Sequence, residues 1–233
     1  MNISRNAPIG VIDSGIGGLS LLKHLTIKYP NENYIYLADN AYMPYGNKSK
    51  KWLISRINEL VDYLYSNFDV KLVILACNTA SICSLQHIKT KTPVKVLGLD
   101  LNIYSDAKYK IICTKQSSKN YANLNVYPCN NLANAIEDGL YDITTLRKKI
   151  FRTISKANII EDNIVLGCTH YELVNNIFKQ VYPDKNFILP GYEFVTQLKL
   201  ANPNMSDAKG DVLMISTLAT KSYIDKLWKI FKK

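Results

Sequence analysis

Histidine is scarce in this chain, with three in 233 residues (His24, His87 and His170), so a zinc site has little to build from. The five cysteines, at positions 77, 83, 113, 129 and 168, form neither a pair motif nor a metal-ligand spacing. An odd, scattered set of this kind reads as reduced thiols. No apolar run approaches the roughly 18–20 residues of a membrane span, so no membrane association is expected. The opening Met1-Asn2-Ile3-Ser4-Arg5 lacks an apolar signal core and Asp13 follows soon after, which predicts a cytoplasmic protein. Acidic residues are also in deficit, 19 against 29 Lys and Arg, for a net charge of +10. That balance could serve an anionic partner. The lysines are spread along the chain, however, and no arginine-rich run interleaves with aromatics, so a solvated lysine-rich surface is expected and nucleic acid is not.

What is present is ordinary for a globular chain: 47% hydrophobic and 21% charged residues, enough to bury a core. Short apolar runs alternate with helical patterns. Ile9–Ile12 predicts a strand ending in Asp13-Ser14-Gly15-Ile16-Gly17-Gly18, after which Leu19, Leu21, Leu22 and Leu25 open a helix. Tyr34–Ala38 is a second strand, Ser49 to about Phe68 a helix, Lys71–Ala76 a third strand and Val94–Leu99 a fourth. Lys110–Cys113, helices at Leu132–Leu140 and Leu146–Asn158, and a strand at Ile164–Leu166 repeat the pattern more weakly, before Val212–Ile215 and the amphipathic tail Tyr223–Phe231. Strand and helix in alternation predict an α/β fold with parallel sheets.

One internal echo stands out. Val73-Ile74-Leu75-Ala76-Cys77-Asn78-Thr79 and Ile164-Val165-Leu166-Gly167-Cys168-Thr169-His170 each place a buried strand, a small residue, a cysteine and polar residues before a helix. Ligands of open α/β sheets bind at the carboxyl ends of strands, where both cysteines fall. A cysteine there meets free backbone N–H groups and the positive end of a helix dipole, both of which favour the thiolate. Nucleophilic catalysis needs one such thiol and a base. Two opposed thiols suit another task, removal of a proton from one face of a carbon and delivery to the other. Cys83, Cys113 and Cys129 are expected in the core, and His24 and His87 on helix surfaces or in packing.

The glycine loop permits other readings. Gly15-x-Gly17 after a strand, with Asp39 closing the next strand, is a partial dinucleotide fingerprint whose third glycine is replaced by Ser20. Asp13-Ser14-Gly15 is better read as a tight turn that presents an acid and a hydroxyl above a helix N-terminus, with Ser14 as a simple helix cap the alternative.

Taken together, Asp13-Ser14-Gly15-Ile16-Gly17-Gly18, Pro44-Tyr45-Gly46-Asn47-Lys48, Ala76-Cys77-Asn78-Thr79-Ala80-Ser81 and Gly167-Cys168-Thr169-His170-Tyr171 resemble, in order and spacing, the signature segments of the glutamate racemases. The related aspartate racemases usually have a glutamate where this chain has His170. The middle of the chain departs most: in Ile111–Ser118 only Thr114 aligns, and the late Asp-Ser-Gly-like segment appears as Leu189-Pro190-Gly191.

The resemblance implies a pseudo-symmetric pair of open parallel-sheet α/β domains, 1–98 plus 190–233 and 99–189, with the active site in the cleft between them. It implies a cofactor-independent racemase of L- and D-glutamate that supplies D-glutamate for peptidoglycan. Cys168 would take the α-proton of L-glutamate and Cys77 that of D-glutamate. Asp13 would assist Cys77, and His170 with Glu137 would assist Cys168. Ser14, Tyr45, Gly46, Asn78, Thr79 and Thr169 would hold the substrate. No cofactor or metal is implied, and there is room for a homodimer. An aspartate racemase, or a binding or regulatory relative that has lost catalysis, is the alternative.

Overall fold

A computed structural model describes residues 4–88, 93–201, 203–204 and 208–232. The first lobe opens with β1 (Ile9–Asp13), α1 (Leu19–Lys28), β2 (Tyr34–Ala38), α2 (Lys50–Phe68), β3 (Leu72–Leu75), α3 (Asn78–Ser84) and β4 (Lys95–Gly98). The chain then builds a second lobe from β5 (Tyr109–Cys113), α4 (Lys115–Ser118), β6 (Val126–Pro128), α5 (Leu132–Gly139), α6 (Ile143–Ile154), β7 (Asn163–Gly167), α7 (Thr169–Leu173), α8 (Asn175–Val181) and β8 (Asn186–Ile188). Finally α9 (Pro190–Gln197), β9 (Val212–Ser216) and α10 (Lys221–Phe231) return to the first lobe, where β9 pairs with β2.

Both sheets are wholly parallel, in the orders β4-β3-β1-β2-β9 and β6-β5-β7-β8. Each lobe lays its second strand on one side of the first and its third strand on the other. The points where strand order reverses are therefore β1/β3 and β5/β7, the places where such sheets bind ligands. Asp13 ends β1 and Cys77 follows β3; Thr114 follows β5 and Cys168 follows β7. The expected pseudo-symmetry of two parallel-sheet units is present.

Side-chain alternation covers the first sheet on both faces, as a parallel sheet requires. Ile9, Val11, Tyr34, Tyr36 and Ile74 pack with α1 and α10, while Ile12, Ile35, Leu37, Val73 and Leu75 pack with α2 and α3. In the second lobe Ile112, Ile164 and Leu166 face α5, α6 and α8, and Ile111, Cys113 and Val165 face Leu101, Tyr104 and Tyr121. Leu140 and Leu173 pack against the cores of both lobes. Cys83, Cys113 and Cys129 are buried, His87 is exposed, and His24 rests on the Tyr192 ring at 5.0 Å. Among the described residues no helix is long and apolar enough to cross a membrane.

Candidate active site

The β1–α1 turn carries the first acid. Asp13 is fully buried, and its Oδ1 accepts the backbone N–H of Gly15 at 2.9 Å. Helix α1 begins only at Leu19, with Gly18 as its unassisted cap. Ser14 is therefore not the cap; its hydroxyl points to the sulfur of Cys77 instead. Cys77 stands at the start of α3, where the N–H groups of Thr79 and Ala80 also reach the sulfur. Cys168 stands likewise at the start of α7, beneath the N–H groups of His170 and Tyr171.

The dipole argument correctly identifies these donors but not the outcome. Burial dominates at Cys77 and, with the negative charge of Asp13, pushes the thiol up to about 12 against those donors. Burial likewise pushes Cys168 up, and a charge on Cys77 would push it further. The Cys168 sulfur thus senses Cys77, and Asp13 is felt at both. So deeply buried, the two cysteines rest as thiols rather than thiolates, because two N–H groups at each sulfur, joined at Cys77 by the Ser14 hydroxyl, do not replace a hydration shell. Asp13 is also raised by burial, with His170, Gly15 and Thr169 acting against the shift.

Glu137 ties the lobes together. Its Oε2 lies 2.9 Å from His170 Nε2 and accepts the N–H of Ile16 at 3.0 Å; its Oε1 accepts Tyr223 Oη at 2.8 Å and Lys226 Nζ at 3.2 Å. Burial opposes its charge, but the hydrogen bond and charge of His170, the Ile16 amide and Lys226 prevail and hold it down at about 2. Burial equally opposes an imidazolium at His170, and Glu137 and Asp13 together raise it nonetheless.

Folding holds the His170 proton more tightly, so that part of the stabilisation is complete below about pH 6.5 and fades as pH climbs through the raised value. The Glu137 part is complete above about pH 4.5 and is lost as pH falls toward about 2. Between those limits Glu137→Gln is expected to lower the unfolding free energy by about 3 kcal/mol. The deficit should shrink as pH rises and the ring gives up its proton. Urea titrations at several pH values check this, and a deficit independent of pH would show that the carboxylate does not hold an imidazolium.

Three further contacts cross the cleft. Thr169 Oγ1 donates to Asp13 Oδ2 at 3.1 Å, and Thr79 Oγ1 lies 2.9 Å from Thr114 Oγ1 and 3.1 Å from Ser117 Oγ. Gly46 lies against Thr114, where a Cβ would sit 2.9 Å from the threonine Cβ. The Tyr45 hydroxyl is turned away from this cluster, donating to Asp39 Oδ2 at 2.6 Å beside the guanidinium of Arg56. Anything residue 45 offers a substrate therefore comes from its backbone.

Asn78 is the exception to this economy. It is 2% exposed, and neither its Oδ1 nor its Nδ2 has a hydrogen-bond partner. A buried carboxamide left unpaired at both ends costs a few kcal/mol, a penalty kept where a ligand will remove it. Among the described residues no group of three or more His, Cys, Asp or Glu side chains is placed to hold a metal ion.

The structure thus brings Asp13, Ser14, Cys77, Asn78, Thr79, Glu137, Cys168, Thr169 and His170 to one buried seam. Sequence reasoning missed Ser117, Tyr223 and Lys226. Ser117 was legible in part, since its N–H is capped by the Thr114 hydroxyl at 3.2 Å in a Thr-x-x-Ser pattern. Tyr223 and Lys226 share a face of α10 at a spacing of three residues, but nothing local announces a partner 86 residues away.

A two-lobed α/β enzyme with paired thiols at equivalent switch points, backed by one carboxylate and one His–Glu pair, defines the class: an isomerase that works on both faces of a carbon. Family models match no part of the chain. The glutamate racemase of Buchnera aphidicola subsp. Schizaphis graminum is 34% identical over 212 residues, 81% of this chain and 82% of that protein. The one from Sulfurihydrogenibium sp. is 32% identical over 222 residues, 86% and 85% of the two chains. The crystal structure of glutamate racemase from Francisella tularensis subsp. tularensis in complex with D-glutamate superposes with a TM-score of 0.83 at 24% identity, covering 99% of this chain and 95% of that one. The chain belongs to the glutamate racemase family.

Proposed function

We propose that this protein interconverts L- and D-glutamate without a cofactor, with Cys77 and Cys168 as the paired acid and base. The observation that carries this reading is the unpaired Asn78 carboxamide, next to Cys77 at the start of α3. It offers a donor and an acceptor, and a substrate ammonium and carboxylate use both.

Every catalytic candidate is at most 6% exposed. Glutamate therefore enters when the lobes part, with 1–98 plus 190–233 moving against 99–189. Opening breaks the Thr79–Thr114 and Thr169–Asp13 bonds, and the freed hydroxyls join Ser14, Asn78 and the Tyr45-Gly46 backbone as substrate contacts. Closure then expels water, which strengthens every donor aimed at the substrate. From L-glutamate, Cys168 as thiolate removes the α-proton while Cys77 as thiol delivers its own proton to the opposite face; the reverse reaction exchanges the roles. One S–H bond forms and one breaks, so the pair of sulfurs carries one proton fewer than two thiols throughout. In either direction that proton rests on Asp13, whose charge is felt at both sulfurs, and His170, held charged by Glu137, guides transfer on the Cys168 side. D-Glutamate is the form required for peptidoglycan, the use proposed for the product.

The test is optical rotation and α-proton exchange of glutamate in deuterium oxide with no added cofactor. Loss of rotation together with incorporation of one deuterium supports the reading. Absence of both with folded protein would sink it, and turnover of aspartate alone would move the assignment to that racemase.

A further inference from the structure

Helix α7 carries Cys168, Thr169 and His170 into the cleft, and two residues further on it carries a carboxyl that the chemistry does not use. Glu172 is 6% exposed. Its Oε1 accepts the backbone N–H of Gly191, at the start of α9, at 2.8 Å. Its Oε2 is buried and has no hydrogen-bond partner. A Cβ at residue 191 would lie 2.8 Å from that oxygen, so the close approach depends on glycine. Helix α9 is itself a fixed abutment, because Lys28 Nζ on α1 binds the carbonyls of Val195, Thr196 and Leu198 at 2.8, 2.7 and 2.7 Å.

A buried carboxyl with one donor and no paired cation is tolerated as the acid far better than as the anion. The charges it feels are the carboxylates of Asp13, from β1, and Glu193, from α9 itself. Helix α1 presents Lys23 and His24, whose ring lies on Tyr192 rather than on Glu172. On α5, Glu137 is already engaged by His170 and Lys226. Strand β7 contributes no titratable side chain.

We propose that Glu172 is a positioning residue for the Cys168 side of the reaction. As the neutral acid it sits buried and clips the helix bearing Cys168 and His170 to the start of α9; loss of its proton leaves an anion there with no paired cation, and the seam opens to hydrate it. The proposal rests on the racemase reading for its kinetic consequence only.

Burial holds this carboxyl up at about 8. The closed seam therefore binds the proton more tightly than an opened, hydrated one. It is favoured at low pH and loses ground as pH rises through that value. The test compares wild type with Glu172→Gln and Glu172→Ala on either side of pH 8. Wild-type kcat should fall several-fold across that pH with KM nearly constant. Glu172→Gln, which keeps an acceptor for Gly191 and carries no charge, should hold its kcat there. Glu172→Ala should lose about tenfold in kcat at every pH. An alkaline fall in Glu172→Gln equal to that of wild type, or full kcat in Glu172→Ala, overturns the proposal. Amide hydrogen exchange separates this from failure of the racemase reading. Even in a protein without turnover, the Gly191 N–H should lose protection above pH 8 in wild type and keep it in Glu172→Gln; equal protection in both overturns the clip.

Discussion

Cys77→Ser and Cys168→Ser are each expected to lower racemisation by about a thousandfold or more, and equally in both directions. The thiols occupy equivalent switch points, and each is the acid for one direction and the base for the other. Microscopic reversibility then forbids a variant that converts L to D but not D to L. Serine preserves size and leaves the capping N–H groups in place, so the loss reports acidity alone: a hydroxyl buried here is far harder to deprotonate than a thiol already raised to about 12. Circular dichroism and rotation assays on both enantiomers check the result. A control lies in the same helix, since Cys83 is buried in the first-lobe core and Cys83→Ala should leave turnover within about twofold. Retention of a tenth of wild-type turnover in either serine variant would remove that cysteine from the mechanism.

Gly17→Ala is expected to lower kcat/KM by about a hundredfold while leaving each lobe folded. An added Cβ would lie 2.5 Å from His170 Nδ1, 2.6 Å from Thr169 Oγ1 and 2.8 Å from the His170 backbone nitrogen. The side-chain atoms could move aside, but the backbone of α7 cannot without carrying Cys168 with it. No glycine here has a positive φ, so alanine meets no backbone strain at residue 17, and the whole effect is steric, across the cleft. Gly139→Ala supplies the contrast, with nothing within 4 Å of its added methyl and no expected loss. Wild-type turnover in Gly17→Ala would show that the working enzyme never closes to the separation described here.

The first-lobe half of the site was readable because its information is local. A buried strand followed at once by Asp13 or by Cys77-Asn78-Thr79 marks a strand end, and strand ends are where parallel sheets bind. The same holds for Cys168 and Thr169. The element boundaries at β2 and α2 were likewise set by a short apolar run bounded by turn signals and by three-and-four spacing. Strands β6 and β8 escaped because three residues at a sheet edge show no period. Pro190 marks the first turn of α9, a helix-start signal that the likeness of Leu189-Pro190-Gly191 to an Asp-Ser-Gly segment does not convey. The resting state of the thiols was not legible for a different reason: N–H donors are visible in a motif, whereas the desolvation that outweighs them comes from the folded surroundings. Glu137 came from the resemblance alone, since its four partners lie on three separate elements.

The C-terminal position of β9 and α10 has a consequence for biosynthesis. β2 is left with an unpaired edge until residues 212–216 arrive, although its other neighbour, β1, is made almost at once. The second lobe, contiguous in sequence, can complete its sheet earlier. Tyr223 and Lys226, which tie Glu137 to the first lobe, leave the ribosome still later. Domains fold as units during synthesis, so the two thiols are enclosed together only as a final step. A chain arrested before β9 would expose a strand edge able to recruit another chain.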